Sequence, residues 1–205
     1  MLHNHKHLTS FEDGHGYDKH AGALFGSLYK MVRDDVLKSE PAHGAVVLDA
    51  GCGPGRILRL LAERRPDLDL HGVDLAQGMI TEAEAAAERA GLGDALSFTR
   101  ADLADLPYAD DSFDLVISNA SMHHWERVEP IVPELARVLR PGGEIRIYDV
   151  RGVDPQPFLT AAAEAFPGAE IDRTLLRFGW LPIRLMQLLR VRTVGAAAGG
   201  NDSAR

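Results

Sequence analysis

A short apolar run that ends in a cluster of glycines constrains this chain more than any other feature. Ala45-Val46-Val47-Leu48-Asp49-Ala50 passes directly into Gly51-Cys52-Gly53-Pro54-Gly55. Residues 56–65 then carry Ile57, Leu58, Leu60 and Leu61 at helical spacing. An unbroken apolar run of this length suits a strand buried on both faces, as in a parallel sheet. The glycines close the strand with a tight turn, because they tolerate backbone angles and close approaches that other residues resist. Parallel neighbours need crossover connections, so the segment commits the chain to βαβ units.

The rest of the chain keeps that rhythm. Further strands are expected at residues 68–73 (ending in Asp74), 96–100, 113–118 and 144–150, with helices at 77–90, 130–139 and 158–166. Arg140-Pro141-Gly142-Gly143 breaks the chain between the helix before it and the strand after it. The end differs: residues 169–177 and 184–192 read as two strands joined by Phe178-Gly179-Trp180-Leu181-Pro182-Ile183. So short a link makes them antiparallel.

Upstream, Ala21, Leu24, Phe25, Leu28, Tyr29, Val32 and Val36 recur at helical steps from Tyr17 onward. The sheet has helices for both faces without this one, so its apolar stripe is expected to cover the open crevice at the strand ends, as a lid. Residues 1–16 are polar and His-rich, and 195–205 are small and polar. The organisation expected is therefore 1–44 as a mobile N-terminus with a helical lid, 45–194 as the α/β domain, and 195–205 as a disordered tail.

Composition narrows the function. At 205 residues the chain holds one α/β domain, and its net charge of −8 opposes a nucleic-acid partner. Lys and Arg cluster in 173–192, but apolar residues separate them, so the stretch reads as strand rather than phosphate-binding tract. The single cysteine, Cys52, rules out a disulfide framework and fits a reducing compartment. No apolar run reaches membrane-spanning length and residues 1–5 hold no signal core, so a cytoplasmic protein without a membrane partner is expected.

The glycine loop decides between ligands. A dinucleotide loop would place its third glycine at position 56, where this chain has Arg56, and no Lys-Ser/Thr pair closes the loop as in a P-loop. Asp49, just before the loop, would repel a pyrophosphate but suits a ligand with an ammonium group. Asp74, at the next strand end, can accept from both hydroxyls of a ribose. Asp102, beside Leu103 in the loop after the third strand, suits an amino-purine edge. Plainer roles stay open: Asp74 as a helix cap, Asp102 as a turn cap, and Cys52 as a packed small residue rather than a nucleophile. An amino acid, a ribose and a base together outline S-adenosylmethionine.

These segments resemble class I S-adenosylmethionine-dependent methyltransferases, especially the small ones similar to ubiquinone/menaquinone-biosynthesis methyltransferases. The resemblance rests on Leu48-Asp49-Ala50-Gly51-Cys52-Gly53-Pro54-Gly55, on Gly72-Val73-Asp74-Leu75 with Met79, on Asp102, on residues 106–114 and on Leu139-Arg140-Pro141-Gly142-Gly143. It implies a Rossmann-like, doubly wound seven-stranded sheet in the order 3-2-1-4-5-7-6 with strand seven antiparallel. It further implies that Gly51, Cys52, Gly53 and Gly55 line the methionine moiety, that Asp74 binds ribose, that Leu75 and Met79 pack on adenine, and that Asp102 meets its amino group. Asn119 would lie near the methyl donor, and Tyr17 would close over the cofactor.

The expected reaction is transfer of a methyl group to an oxygen, nitrogen or carbon of a small molecule, with S-adenosylhomocysteine as product. His123 and His124, after the fourth strand, are the candidate catalytic residues, as base or as acceptor-orienting groups. No metal is expected, and the assembly expected is a monomer or homodimer. Two rival readings stand beside this one: a non-methylating reaction or non-catalytic role on the same fold, and nucleic-acid methylation, which the acidic balance and Ser118-Asn119-Ala120-Ser121 oppose.

Overall fold

The computed structural model describes residues 23–177 and 184–195. Helix α1 (Ala23–Lys38) precedes β1 (Val46–Ala50), α2 (Arg56–Ala62), β2 (Asp69–Asp74), α3 (Gln77–Arg89), β3 (Leu96–Arg100) and β4 (Phe113–Asn119). Then follow α4 (Ile131–Val138), β5 (Leu139–Val150), α5 (Gln156–Ala165), β6 (Glu170–Leu176) and β7 (Met186–Arg192). The strands form one sheet in the order β3-β2-β1-β4-β5-β7-β6. The first five run parallel, and β7 lies antiparallel to both β5 and β6.

The order follows from the chain's local chemistry. The central parallel strands are apolar on both faces: in β4, Leu115, Val116 and Ile117 are all buried. The sheet must therefore be covered twice. On one face α4 and α5 bring Ile131, Leu135, Phe158 and Ala162 against Leu48, Val116 and Ile147. On the other, α2 and α3 lie against β2 and β3.

The remaining half of that second face is covered by α1, and this corrects the lid expectation. Leu28, Tyr29, Val32 and Val36 share a buried cluster with Ile57, Ile117, Tyr148 and Leu188. Asp35 of α1 adds polar anchors, accepting from the Tyr148 hydroxyl at 2.6 Å and from Arg146 at 3.1 Å. Each buried apolar side chain contributes about 1.5–3 kcal/mol, so α1 is part of the core. The expectation failed on its premise: α2 and α3 leave Tyr148 and Leu188 uncovered, and the apolar stripe goes there. Residues 17–22, including Tyr17, lie outside the described residues.

The break at residues 140–143 is a distortion within β5 rather than a loop before it. Leu139 already pairs with Phe113, and the register shifts before Leu115 meets Glu144. Gly142 takes a positive φ of 85°, and a Cβ on Gly143 would come within 2.9 Å of the Arg140 and Asp114 carbonyl oxygens. No helix among the described residues is long and apolar enough to cross a membrane.

Candidate active site

The carboxyl ends of β1, β2, β4 and β5 form the crevice expected of an open α/β sheet. Its floor is the glycine loop, where the three glycines serve different ends. All have positive φ, of 76° at Gly51, 51° at Gly53 and 66° at Gly55. A Cβ on Gly51 would collide with Ser121, and one on Gly55 would come within 2.7 Å of the Phe98 ring. Only at Gly53 would a Cβ meet nothing within 4 Å. Gly53 is thus the glycine that leaves room for a ligand, while Gly51 and Gly55 admit other parts of the protein.

The loop's amides are already engaged. The Gly51 and Cys52 N–H groups donate to the Val73 carbonyl at 2.8 and 2.9 Å, and the Gly55 N–H to the Cys52 carbonyl at 3.0 Å. Gly53 N–H donates to Asp74 Oδ2 at 2.9 Å, while Asp74 Oδ1 accepts from Ala76 N–H at 2.9 Å at the start of α3. Asp74 therefore braces both the loop and the helix entry. Burial raises its pKa, against the backbone donors that lower it. Cys52 is buried, and burial followed by the charges of Asp49 and Asp74 pushes its thiol well up, which suits packing rather than nucleophilic attack.

Asp49 is 1% exposed, and its Oδ1 has no hydrogen-bond partner. Two further orphaned atoms, Ser118 Oγ and Asn119 Oδ1, stand at the end of adjacent β4. Buried polar atoms without partners are uncommon in folded proteins, and here they mark places where a ligand can supply donors. An ammonium group would match Asp49, so these residues fit S-adenosylmethionine. Burial, then the charge of Asp74, pushes the Asp49 carboxyl up to about 8.

This shift makes stability depend on pH. A folded pKa of about 8 against 3.8 in an ordinary carboxyl means the folded chain keeps a proton the unfolded chain releases. The contribution is full below the unfolded pKa and is lost as pH rises through the folded one. Ligand-free protein should melt at progressively lower temperature as pH is raised from about 5 to about 8, with a slope of up to about 1.4 kcal/mol per pH unit. Asp49→Asn, uncharged at every pH, should flatten that slope; an Asn variant with the same slope would contradict the assignment.

At the end of β4 the chain turns over the crevice through Ala120, a non-glycine residue at φ 52°. Strained positions of this kind persist where surrounding contacts fix them. Here Ala120 N–H donates to the Tyr148 carbonyl at 2.8 Å, and Trp125 Nε1–H to Ser121 Oγ at 3.1 Å. The short 3₁₀ turn Met122–His124 that follows presents both histidines.

His123 is held by Asp149, the next-to-last residue of β5 and fully buried. One Asp149 oxygen lies 2.9 Å from His123 Nδ1, and the other accepts from the His123 backbone N–H at 2.9 Å. Val150 N–H donates to Asp149 Oδ1 at 2.7 Å. With Nδ1–H directed at the carboxylate, the Nε2 lone pair is left free to take a proton. The His124 ring lies 3.9 Å from that of His123, and burial, then His123, holds its pKa below the ordinary imidazole value. The sequence reading missed Asp149, because a carboxylate 26 residues downstream carries no local mark of its partner.

The remaining expected site residues divide. Leu75 is 55% exposed at the end of β2, an apolar surface available to a base, whereas Met79 and Leu103 are 5% and 9% exposed. Met79 is packed into α3's buried side and Leu103 into the core beneath α4. Asp102 is exposed, and its Oδ1 caps a turn by accepting from Ala104 N–H at 2.9 Å.

Residues 48–147 match the family model described as a methyltransferase domain. The chain is 39% identical over 134 residues to methyltransferase GfsG of Streptomyces halstedii, an alignment covering 64% of this chain and 48% of that protein. It is 32% identical over 151 residues to the 27-O-demethylrifamycin SV methyltransferase of Amycolatopsis mediterranei, covering 73% of this chain and 55% of that one. It thus spans about half the length of these curated relatives. Its fold is that of a SAM-dependent methyltransferase from Aquifex aeolicus, with a TM-score of 0.70 at 19% identity over 89% of this chain and 99% of that one. The chain is thus similar to methyltransferases over residues 48–147.

Proposed function

We propose that the protein transfers the methyl group of S-adenosylmethionine to a hydroxyl oxygen of a small molecule. The observation that carries the choice of oxygen is the His123–Asp149 pair, since a neutral alcohol is a poor nucleophile until a base accepts its proton. When bound, S-adenosylmethionine supplies a methyl group activated by a sulfonium, which leaves as the thioether of S-adenosylhomocysteine. His123 Nε2 takes the hydroxyl proton as the oxygen–methyl bond forms, and Asp149 stabilises the imidazolium so produced. Asp49 would hold the amino-acid end of the cofactor, Asp74 its ribose, and Leu75 and Asp102 its adenine, with Asn119 toward the methyl. The similarity to a protein named as an O-demethylrifamycin methyltransferase supports this reading.

The net charge of −8 and the single Cys52 support a cytoplasmic enzyme, monomeric or homodimeric, that acts on neither membrane nor nucleic acid.

The test is a panel of alcohols, amines and activated carbon acids incubated with methyl-labelled S-adenosylmethionine. Labelled methyl ethers are the expected products; methylation confined to nitrogen or carbon would overturn the choice of oxygen. Asp74→Ala should also weaken S-adenosylhomocysteine binding by about 1.5–3 kcal/mol, roughly ten- to a hundredfold by calorimetry. Unchanged affinity in a folded variant would move the ribose away from β2.

A further inference from the structure

Charge is spread unevenly along the carboxyl-end edge of the sheet. The half built on β1, β2 and the loop after β3 carries Asp49, Asp74 and Asp102, and it faces a cationic cofactor. The other half, at the ends of β5, β7 and β6, is basic. Val150, Met186 and Leu176 pair across these three strands in one row. One step beyond that row, Arg151 N–H donates to the Leu185 carbonyl at 2.7 Å, Arg177 follows Leu176, and Arg184 precedes Leu185. All three arginines are exposed, and none has a carboxylate partner among the described residues. Deeper in the same strands Arg146 pairs with Asp35, Arg190 with Glu144 and Arg192 with Glu170, while Arg173 has no carboxylate partner among the described residues.

Two exposed apolar side chains stand at this edge, Val150 at 44% and Leu185 at 48%; strand alternation puts Leu185, with Arg151 and Arg177, on the face that carries Asp149, and Val150 and Arg184 on the face that α1 covers. Val150 is bonded through its N–H to Asp149, so this lip adjoins the carboxylate that holds His123. Neighbouring strands lie about 4.8 Å apart, which puts Arg151, Leu185 and Arg177 within about 10 Å, the scale of a small molecule. Cations without a carboxylate partner in a chain of net charge −8 create a local positive potential that attracts anions to this lip.

Resting on the methyltransferase reading, we infer that this lip binds the methyl acceptor and that the acceptor is an amphipathic anion. Its apolar body lies on Leu185, its carboxylate or phosphate is held by Arg151 and Arg177 with Arg184 at the rim, and its hydroxyl reaches His123. The arginines and apolar residues of 173–192 thus acquire a role that a strand alone does not give them.

Binding can be read without turnover. The full chain, methyl-labelled at Leu and saturated with S-adenosylhomocysteine, is titrated with decanoate, decyl phosphate, decanamide and decanol while the Leu185 methyl signals are followed by NMR. Saturable shifts are expected with at least one anion, whichever headgroup the lip prefers, and binding about tenfold weaker or worse for decanamide and decanol. The triple variant Arg151→Gln/Arg177→Gln/Arg184→Gln should lose about tenfold or more for the preferred anion and change little for decanol. Leu185→Asn should weaken all four.

Shifts equal for decanoate and decanamide, or none at Leu185 with either anion, would overturn the inference. So would arginine-dependent binding to phosphatidylglycerol vesicles without any response to the free anions, which would make the lip a membrane contact. Calorimetry of S-adenosylhomocysteine on the same sample tests the cofactor site separately, so loss of one reading is distinguishable from loss of the other.

Discussion

Asp149→Asn is expected to lower kcat by about 100- to 10,000-fold while S-adenosylhomocysteine affinity stays within about twofold. Asp149 accepts three hydrogen bonds, from the His123 ring, the His123 backbone N–H and Val150 N–H. An amide can present its oxygen to only part of this set, and its NH2 group then faces another donor. The imidazole is left in the wrong tautomer or the wrong orientation, and either removes the base. The same conflict should cost about 1–3 kcal/mol of stability, so the melting temperature is measured alongside the rate. His123→Gln removes the base while leaving Asp149 in place, and should match the loss in kcat. A folded Asp149→Asn enzyme with full turnover on an alcohol would show that positioning alone drives the transfer, as it can where the methyl group is already activated.

Gly53→Val should abolish measurable cofactor binding, a loss of at least about a hundredfold or 2.7 kcal/mol. Two effects combine at this position. A β-branched residue resists the φ of 51° found there, and its side chain would enter space that no protein atom occupies. Gly53→Ala separates them, because alanine meets most of the backbone strain with far less bulk. Both variants should melt earlier, but only valine should eliminate binding. If both bind S-adenosylhomocysteine like the parent, the ligand does not lie over Gly53.

Much of the architecture could be read from residues 45–192, because periodicity and punctuation are local. The Val46–Ala50 strand, the glycine loop and the crossover helices follow from apolar spacing and turn residues. The terminal hairpin follows from a link too short for a crossover. What could not be read was where surfaces meet. The stripe of Leu28, Val32 and Val36 announces a buried face but not which one, and Tyr148 and Leu188 claimed it. The glycine pattern announced a tight loop, but not that Ser121 sits on Gly51 and Phe98 on Gly55, leaving Gly53 alone to face open space.

The site divides on the same line. Asp49, Asp74 and Leu75 stand at strand ends that the sequence marks, and the structure brings them to one crevice. Met79 and Leu103 were expected to face the cofactor, yet both are packed inward, since an apolar residue beside a site and one beneath it look alike in sequence. His123 was a candidate only by its place after β4. Its partner Asp149 became recognisable only when β4 and β5 were aligned and Asn119 fell opposite Tyr148.

Titration of the protein with S-adenosylhomocysteine in a calorimeter, beside NAD and ATP, tests the central claim most directly. One saturable site for S-adenosylhomocysteine is predicted, lost in Gly53→Val and weakened in Asp74→Ala, with no saturable heat from NAD or ATP. Saturable binding of NAD with no response to S-adenosylhomocysteine would contradict the account.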